Sequence, residues 1–344
     1  MQTKVLPATP ASLAEAASLL QSGQVVGFPT ETVYGLGANA LDADAVRRIF
    51  EAKGRPADNP LIVHISALDQ LAPLIEGELP ENARKLAAAC WPGPLTMLLP
   101  RSAAVPDVVT AGLPTVGIRM HSHPVARALI DAAQRPIAAP SANRSGRPSP
   151  TTAAHVFEDM DGRVPLILDG GSCQVGVEST VLDVTSEVPR ILRPGGVTAE
   201  QVAEICGAVE VDGAVMRPLA EGEKPRSPGM KYRHYAPKGA LTIVRGEAGA
   251  VAARIAALYD EAAAAGETAL ILALDGHIPL YGARRTLSLG RDEAEMAARL
   301  FAALREADEL GAKVLFSEAV STDGVGLAVM NRLGRAAAFH VIEV

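Results

Sequence analysis

Val25-Val26-Gly27-Phe28-Pro29-Thr30-Glu31-Thr32-Val33-Tyr34-Gly35-Leu36-Gly37 and, further along, Lys53-Gly54-Arg55-Pro56-Ala57-Asp58-Asn59-Pro60-Leu61-Ile62-Val63-His64-Ile65 frame the first half of the chain. The apolar run 25–28, stopped by Pro29, predicts a buried strand, 44–53 a helix and 61–65 a second strand. Between them lie hydroxyls, backbone amides and two cations, with neither a nucleophile triad nor metal-ligand spacing. Pro56 and Pro60 hold the segment after the helix extended at low entropic cost. Such a set suits a polyphosphate and a small polar substrate. It does not suit a protease, a hydride-transfer enzyme or a zinc protein.

Outward from this frame, 10–21 after Thr9 predicts an amphipathic helix ended by Gly23. Further strands are expected at 95–99, 115–119, 136–139, 166–169 and 179–183. Strands mixed with helices give an α/β (α+β) first domain with a twisted, mixed sheet. After Gly207 the composition shifts. Residues 217–238 carry six Lys+Arg against two Glu, with Tyr232, His234 and Tyr235 among them. A plain linker and a functional lid both fit that stretch. The last hundred residues alternate strand (241–244, 268–274, 314–316, 339–342) with helix (249–264, 291–310), the second helix turning Ala297, Leu300, Phe301, Leu304 and Leu310 inward. That pattern predicts a small open sheet of the doubly wound kind. No G-x-G-x-x-G follows its first strand, and Gly324-Val325-Gly326 reads as a helix start.

The bulk numbers agree. The 344 residues, 48% hydrophobic, can fill two domains, and with 3% aromatics the cores must be aliphatic. Residues 1–206 hold 16 Lys+Arg against 21 Asp+Glu, a balance of −5, which argues against a constitutive nucleic-acid binder. Cys90, Cys173 and Cys206 are too scattered for a metal site and read as free thiols. No signal peptide or membrane-length apolar run is visible, so a cytoplasmic location is expected.

Several residues can carry chemistry, each with a plainer account beside it. Lys53 and Arg55 can neutralise phosphates, or can complement a helix dipole. Ser141-Ala142-Asn143 follows a small-residue strand, where ligands sit in α/β sheets or where a turn closes the strand. Arg119 ends a strand with Thr115 on its face, as a joint site or as one half of an ion pair. Gly170, Gly171 and Gly176 would let a backbone approach a ligand. Arg193-Pro194-Gly195 repeats the cation-at-a-turn theme, and His121 and His123 read as loop histidines.

Taken in order, Phe28 to Gly37, Lys53-x-Arg55, Asn59-Pro60-Leu61-Ile62-Val63-His64, Trp91-Pro92-Gly93-Pro94-Leu95-Thr96, Ser141-x-Asn143, Gly176-Val177-Glu178-Ser179-Thr180 and 227–237 resemble the YrdC-type threonylcarbamoyl-AMP synthases in their long, two-domain form. The resemblance implies a YrdC-like twisted mixed-sheet catalytic domain over 1–206, a linker or lid over 207–238, and a small Rossmann-like α/β domain over 239–344. It implies that L-threonine, bicarbonate (or CO2) and ATP are condensed to threonylcarbamoyl-adenylate and pyrophosphate. A partner transferase would pass the product to tRNA. Mg2+ would ride on the ATP phosphates. Lys53 and Arg55 would act on the phosphates, and Asn59, Thr115, Ser141, Asn143, Ser149, Arg193 and Tyr235 would hold the nucleotide with them. Thr30, Thr32, Tyr34, His64, Arg119 and Ser179 would hold threonine. Two other functions share parts of this pattern: an RNA-binding module without chemistry, opposed by the acidic balance, and a carbamoyl-adenylate enzyme, opposed by the missing accessory segments.

Overall fold

The computed structural model describes residues 1–217 and 234–344. Most of the motif at 227–237 therefore lies outside the described residues, with His234, Tyr235, Ala236 and Pro237 inside them. The chain divides into two units. One comprises Met1–Ser145 and Ser149–Val215, and the other comprises Gly146–Pro148 with residues 216–217 and 234–344.

In the first unit the strands are β1 (Lys4–Pro7), β2 (Val26–Phe28), β3 (Gly35–Asn39), β4 (Ile62–Ile65), β5 (Leu95–Pro100), β6 (Thr115–Met120), β7 (Ile137–Ala139), β8 (Leu166–Asp169), β9 (Thr180–Asp183), β10 (Arg190–Arg193) and β11 (Glu210–Val211). They form one sheet in the order β1-β8-β2-β3-β7-β4-β6-β5-β9-β10-β11. The sheet is mixed: β4 runs parallel to β6 and β5 to β9, while β3–β7, β4–β7 and β5–β6 are antiparallel. The helices are α1 (Pro10–Gln21), α2 (Ala43–Lys53), α3 (Glu81–Cys90), α4 (Asp107–Thr110), α5 (Pro124–Ala133), α6 (Ala153–Met160) and α7 (Ala199–Cys206). Helix α1 starts where Thr9 and Ser12 form a reciprocal capping box. Helix α2 starts on the Asp42 side chain and stops at Gly54, whose left-handed backbone (φ 62°) turns the chain toward Arg55.

Alternation along the strands decides what each face does. Val63, Ile65, Met97, Leu99, Val116, Ile118 and Leu182 point into the main aliphatic core with Ile49 and Leu86. On the opposite face, α1 and α5 cover Val26, Phe28, Ile137, Ala139, Leu166 and Leu168 through Ala16, Leu20, Leu129 and Ile130. Where that second face continues over β4, β6, β5 and β9, it changes character. A small apolar group, Ile62, Leu98, Val181 and Leu192, sits beside His64, Thr96, Thr115, Gly117 and Arg119. Polar residues buried on this part of the sheet mark it as the functional face.

The second unit contains β12 (Ala240–Arg245), β13 (Ala269–Ala273), β14 (Thr286–Ser288), β15 (Val314–Glu318) and β16 (Val341–Glu343), with α8 (Ala248–Ala264), α9 (Glu293–Glu309) and α10 (Gly326–Ala336). Its sheet, ordered β14-β13-β15-β12-β16, is parallel throughout, as the Rossmann-like expectation requires. Leu310 departs from the expected inward face of α9. It is the residue that caps the helix and stays 40% exposed, whereas Ala297, Leu300, Phe301 and Leu304 are buried.

Candidate active site

The loop between β2 and β3 is built by its own hydroxyls. Thr30 Oγ1 donates to Val33 O at 2.6 Å and accepts from the Thr32 and Val33 amides at 3.1 and 3.2 Å. Tyr34 donates its hydroxyl to Gly171 O at 2.7 Å and accepts from the Gly170 amide at 3.2 Å. Burial, with the nearby Asp169 carboxylate, pushes the Tyr34 phenol well above its ordinary value, and the Gly170 amide offsets only part of that rise. Thr30 and Tyr34, both expected to hold threonine, therefore spend their hydroxyls on the scaffold. Thr32 links that loop to the sheet: its Oγ1 lies 3.0 Å from Thr30 Oγ1 and accepts from Arg119 Nη1 at 2.9 Å. Gly170 also serves the scaffold, since a Cβ there would lie 2.6 Å from Pro29 Cγ.

Arg119 and His64 stand opposite each other on the parallel strands β4 and β6, and Thr96 faces Arg119 from β5. Arg119 is buried, so its charge needs a partner. Glu31 supplies it, with Oε1 at 2.7 Å from Arg119 Nη2 and Oε2 at 3.0 Å from His121 Nδ1. Arg119 thus forms a buried rather than a surface ion pair. Burial alone would raise the Glu31 carboxyl, but Arg119 and His121 outweigh it and hold it well below the usual carboxylate range. Burial and the Arg119 charge bring His121 down to about 4. Burial, His121 and Arg119 hold His64 well below 6.5. The His64 and His121 rings stack, with centroids 4.5 Å apart and planes 9° apart, and the Phe28 ring stands nearly perpendicular to both. Thr115 shares the strand face of Arg119 but belongs to a different neighbourhood. It lines a slot with Pro60, Leu61, Ile62, Thr96, Leu98 and Val181.

A second group forms around the end of α2. Lys53 is buried and donates to Ser141 O at 2.5 Å and Asn143 O at 2.6 Å. Burial, then the neighbouring Arg55 charge, lowers its pKa well below the ordinary lysine value. Lys53 therefore fixes the loop that carries Ser141 and Asn143, whose side chains bond each other at 2.5 Å. Arg55 lies over the Phe50 ring at 5.2 Å. Asn59 is fully buried, and neither end of its amide has a hydrogen-bond partner among the described residues.

Across the sheet, Arg193 donates from Nε and Nη2 to Ser179 O at 3.1 and 3.0 Å and from Nη2 to Ser179 Oγ at 3.2 Å. Ser179 Oγ also meets Thr96 Oγ1 at 2.8 Å, and Ser149 Oγ donates to Glu178 Oε1 at 2.5 Å. An expected nucleotide ligand and an expected threonine ligand are thus joined directly. Gly195 makes the join possible, since a Cβ there would lie 2.2 Å from the Thr180 amide nitrogen. Tyr235 belongs to the second unit, where its ring lies 5.0 Å from Phe301 and beneath the Arg332 guanidinium.

Sequence reading gave no role to Glu31, His121, Thr96 or Glu178. The available signal was the two-residue period, which puts His121 on the face of Arg119. Among the described residues no group of three or more His, Cys, Asp or Glu could hold a metal. No helix there is long and apolar enough to cross a membrane.

Comparison with known proteins identifies the family. A family model described as "Telomere recombination" matches residues 18–195, and one described as the threonylcarbamoyl-AMP synthase C-terminal domain matches 197–338. The threonylcarbamoyl-AMP synthases of Pyrococcus abyssi and Bacillus subtilis are 48% and 49% identical. Both alignments span 96% of this chain, and 95% and 94% of those proteins respectively. The crystal structure of P. abyssi Sua5 complexed with L-threonine is 46% identical with a TM-score of 0.94, over 100% of both chains. With both of its domains matched and nearly the whole chain aligned, the chain belongs to the threonylcarbamoyl-AMP synthase family in the two-domain form.

Proposed function

We propose that this chain condenses L-threonine, bicarbonate or CO2, and ATP into threonylcarbamoyl-AMP and pyrophosphate. The observation that carries the reading is a set of buried polar atoms on the functional face and at the end of α2. Arg119 Nε, His64 Nδ1 and both ends of the Asn59 amide have no hydrogen-bond partner among the described residues. Each such atom costs about 1–3 kcal/mol, a cost that a polar ligand can offset.

The threonine carboxylate would pair with Arg119, and Thr32, His64 and Ser179 would surround the rest of that substrate. Thr30 and Tyr34 support the loop beneath it. The amine lone pair attacks CO2, a proton leaves, and a carbamate oxygen then attacks the ATP α-phosphorus and expels pyrophosphate. Such chemistry needs positioning and charge stabilisation rather than a protein nucleophile. Arg55 and Lys53 would offset the phosphate charge, with Lys53 also setting the loop that presents Ser141 and Asn143. Asn59, Thr115, Ser149 and Arg193 complete the nucleotide set. Mg2+ enters as part of the nucleotide substrate. The lysine and arginines near Ser141 and Asn143 suit a phosphate-borne cation rather than a carboxylate cage.

A labile mixed anhydride must be consumed promptly. A transferase that passes the threonylcarbamoyl group to tRNA fits that need and places both enzymes in the cytoplasm with tRNA. The test is pyrophosphate release from ATP, Mg2+ and bicarbonate with and without L-threonine. Threonine-dependent release is expected, and release indifferent to threonine would overturn the reading.

A further inference from the structure

Two imidazole nitrogens on the functional face have no hydrogen-bond partner among the described residues: His64 Nδ1 and His121 Nε2. Their protonation follows from their partners. Glu31 is a carboxylate and accepts only, so His121 Nδ1 carries the hydrogen and Nε2 the lone pair. His64 Nε2 faces the carbonyl of Ala139 at 3.2 Å, so it too donates, leaving the lone pair on Nδ1. The stacked rings therefore present two acceptors.

The anion that would ordinarily hold an ammonium is committed elsewhere. Glu31 Oε1 meets Arg119 Nη2 at 2.7 Å and also receives the Ser122 amide at 3.4 Å, while Oε2 meets His121 at 3.0 Å. The other charged or titratable groups acting on this pair are Arg119 itself and half-buried His123, whose pKa burial lowers. A cation brought here would face Arg119 with no free carboxylate to offset it. A neutral amine would donate two N–H groups to the two imidazoles and keep its lone pair for CO2. The geometry suits an α-amino acid: Arg119 and His121 are two residues apart on one face, about 7 Å between Cα atoms. A carboxylate on Arg119 therefore leaves the amine beside the rings.

We propose that Glu31 and His121 belong to the amino-acid site: Glu31 is a positioning residue that fixes Arg119 and the tautomer of His121, and His121 Nε2 with His64 Nδ1 selects the substrate's uncharged amine. The proton lost by the ammonium goes to solvent on binding, and the amine is left ready to form the C–N bond. This inference rests on the threonine reading above and deepens it.

Calorimetric titration of L-threonine into the full chain, at one pH in two buffers of different ionisation enthalpy, counts protons released. Close to one proton per threonine is expected, and none would overturn the proposal. His121→Asn keeps a donor for Glu31 but removes the acceptor at the Nε2 position, so it should weaken threonine about tenfold or more, with ATP affinity within about twofold. Glu31→Gln, which permits the other His121 tautomer, should do the same. L-2-aminobutyrate, which lacks the hydroxyl, should lose as much affinity for His121→Asn as threonine does. A loss confined to threonine would assign His121 to the hydroxyl and overturn the amine role. If the native chain binds no threonine, the functional reading itself fails. If it binds threonine and His121→Asn binds it equally well, only this inference fails.

Discussion

Lys53 shows how a residue's environment can redirect its chemistry. Its ammonium has three N–H donors, and the carbonyls of Ser141 and Asn143 take two of them. Lys53→Ala should therefore loosen the 141–143 loop as well as weaken phosphate binding. We expect pyrophosphate release to fall at least about 100-fold and urea stability by about 2 kcal/mol, from the two buried carbonyls left unpaired. Full turnover in that variant would refute its role. The buried histidine beside Glu31 makes a second residue-scale prediction. His121 titrates at about 4 when folded against an ordinary 6.5, so the unfolded chain takes up the proton first. Its contribution to stability is present at neutral pH and is lost as pH falls from about 6.5 to 4, a difference of roughly 3 kcal/mol. Glu31, held below its ordinary 4.5, adds a loss of the same sign below that pH. Urea midpoints measured between pH 7 and pH 4.5 should fall less steeply in His121→Asn than in the native chain. Equal slopes would contradict the assignment.

The sequence revealed secondary-structure elements best where local signals agreed. Thr9, the period of Leu13, Ala16, Ala17 and Leu20, and Gly23 together marked α1, which spans Pro10–Gln21. Strand β3 gave no such signal, since Gly35-Leu36-Gly37-Ala38-Asn39 has low strand propensity. Pairing between β2 and β7 makes it a strand, and its glycines are needed because a Cβ at either Gly35 or Gly37 would lie 2.8 Å from the Phe28 ring. The site was partly legible for the same reason. Motif residues such as Arg119, Ser179 and Ser141 could be recognised, but which hydroxyls face a ligand depends on contacts between distant segments. Thr30 and Tyr34 turned to the loop, and Glu31, in the β2–β3 loop, met His121 beyond the end of β6, which no local pattern encodes. Gly195 tests the element scale. Gly195→Ala would force a Cβ against the Thr180 amide at the start of β9, and overpacking of this kind costs about 1–3 kcal/mol. The disturbance would shift Ser179 and Arg193, so the KM values for threonine and ATP should both rise. An unchanged denaturation midpoint would contradict this.

At the scale of the whole molecule, the first unit separates stability from function by sheet face. One face of β4, β5, β6 and β9 fills the aliphatic core, while the other carries His64, Thr96, Thr115 and Arg119. Long side chains that would have been costly in the core become affordable there because a ligand can complete their bonding. The second unit, a parallel sheet around Ile255, Ile271 and Phe316, was legible from strand–helix alternation as a small open sheet of the doubly wound kind. The central claim is that this polar face joins an amino acid to a nucleotide. Its most direct measurement is pyrophosphate release from ATP, Mg2+ and bicarbonate by the full chain as L-threonine is titrated. Release that rises from near zero and saturates with threonine, and collapses in Arg119→Ala, is the predicted result. Release independent of threonine, or unaffected by loss of Arg119, would contradict the account.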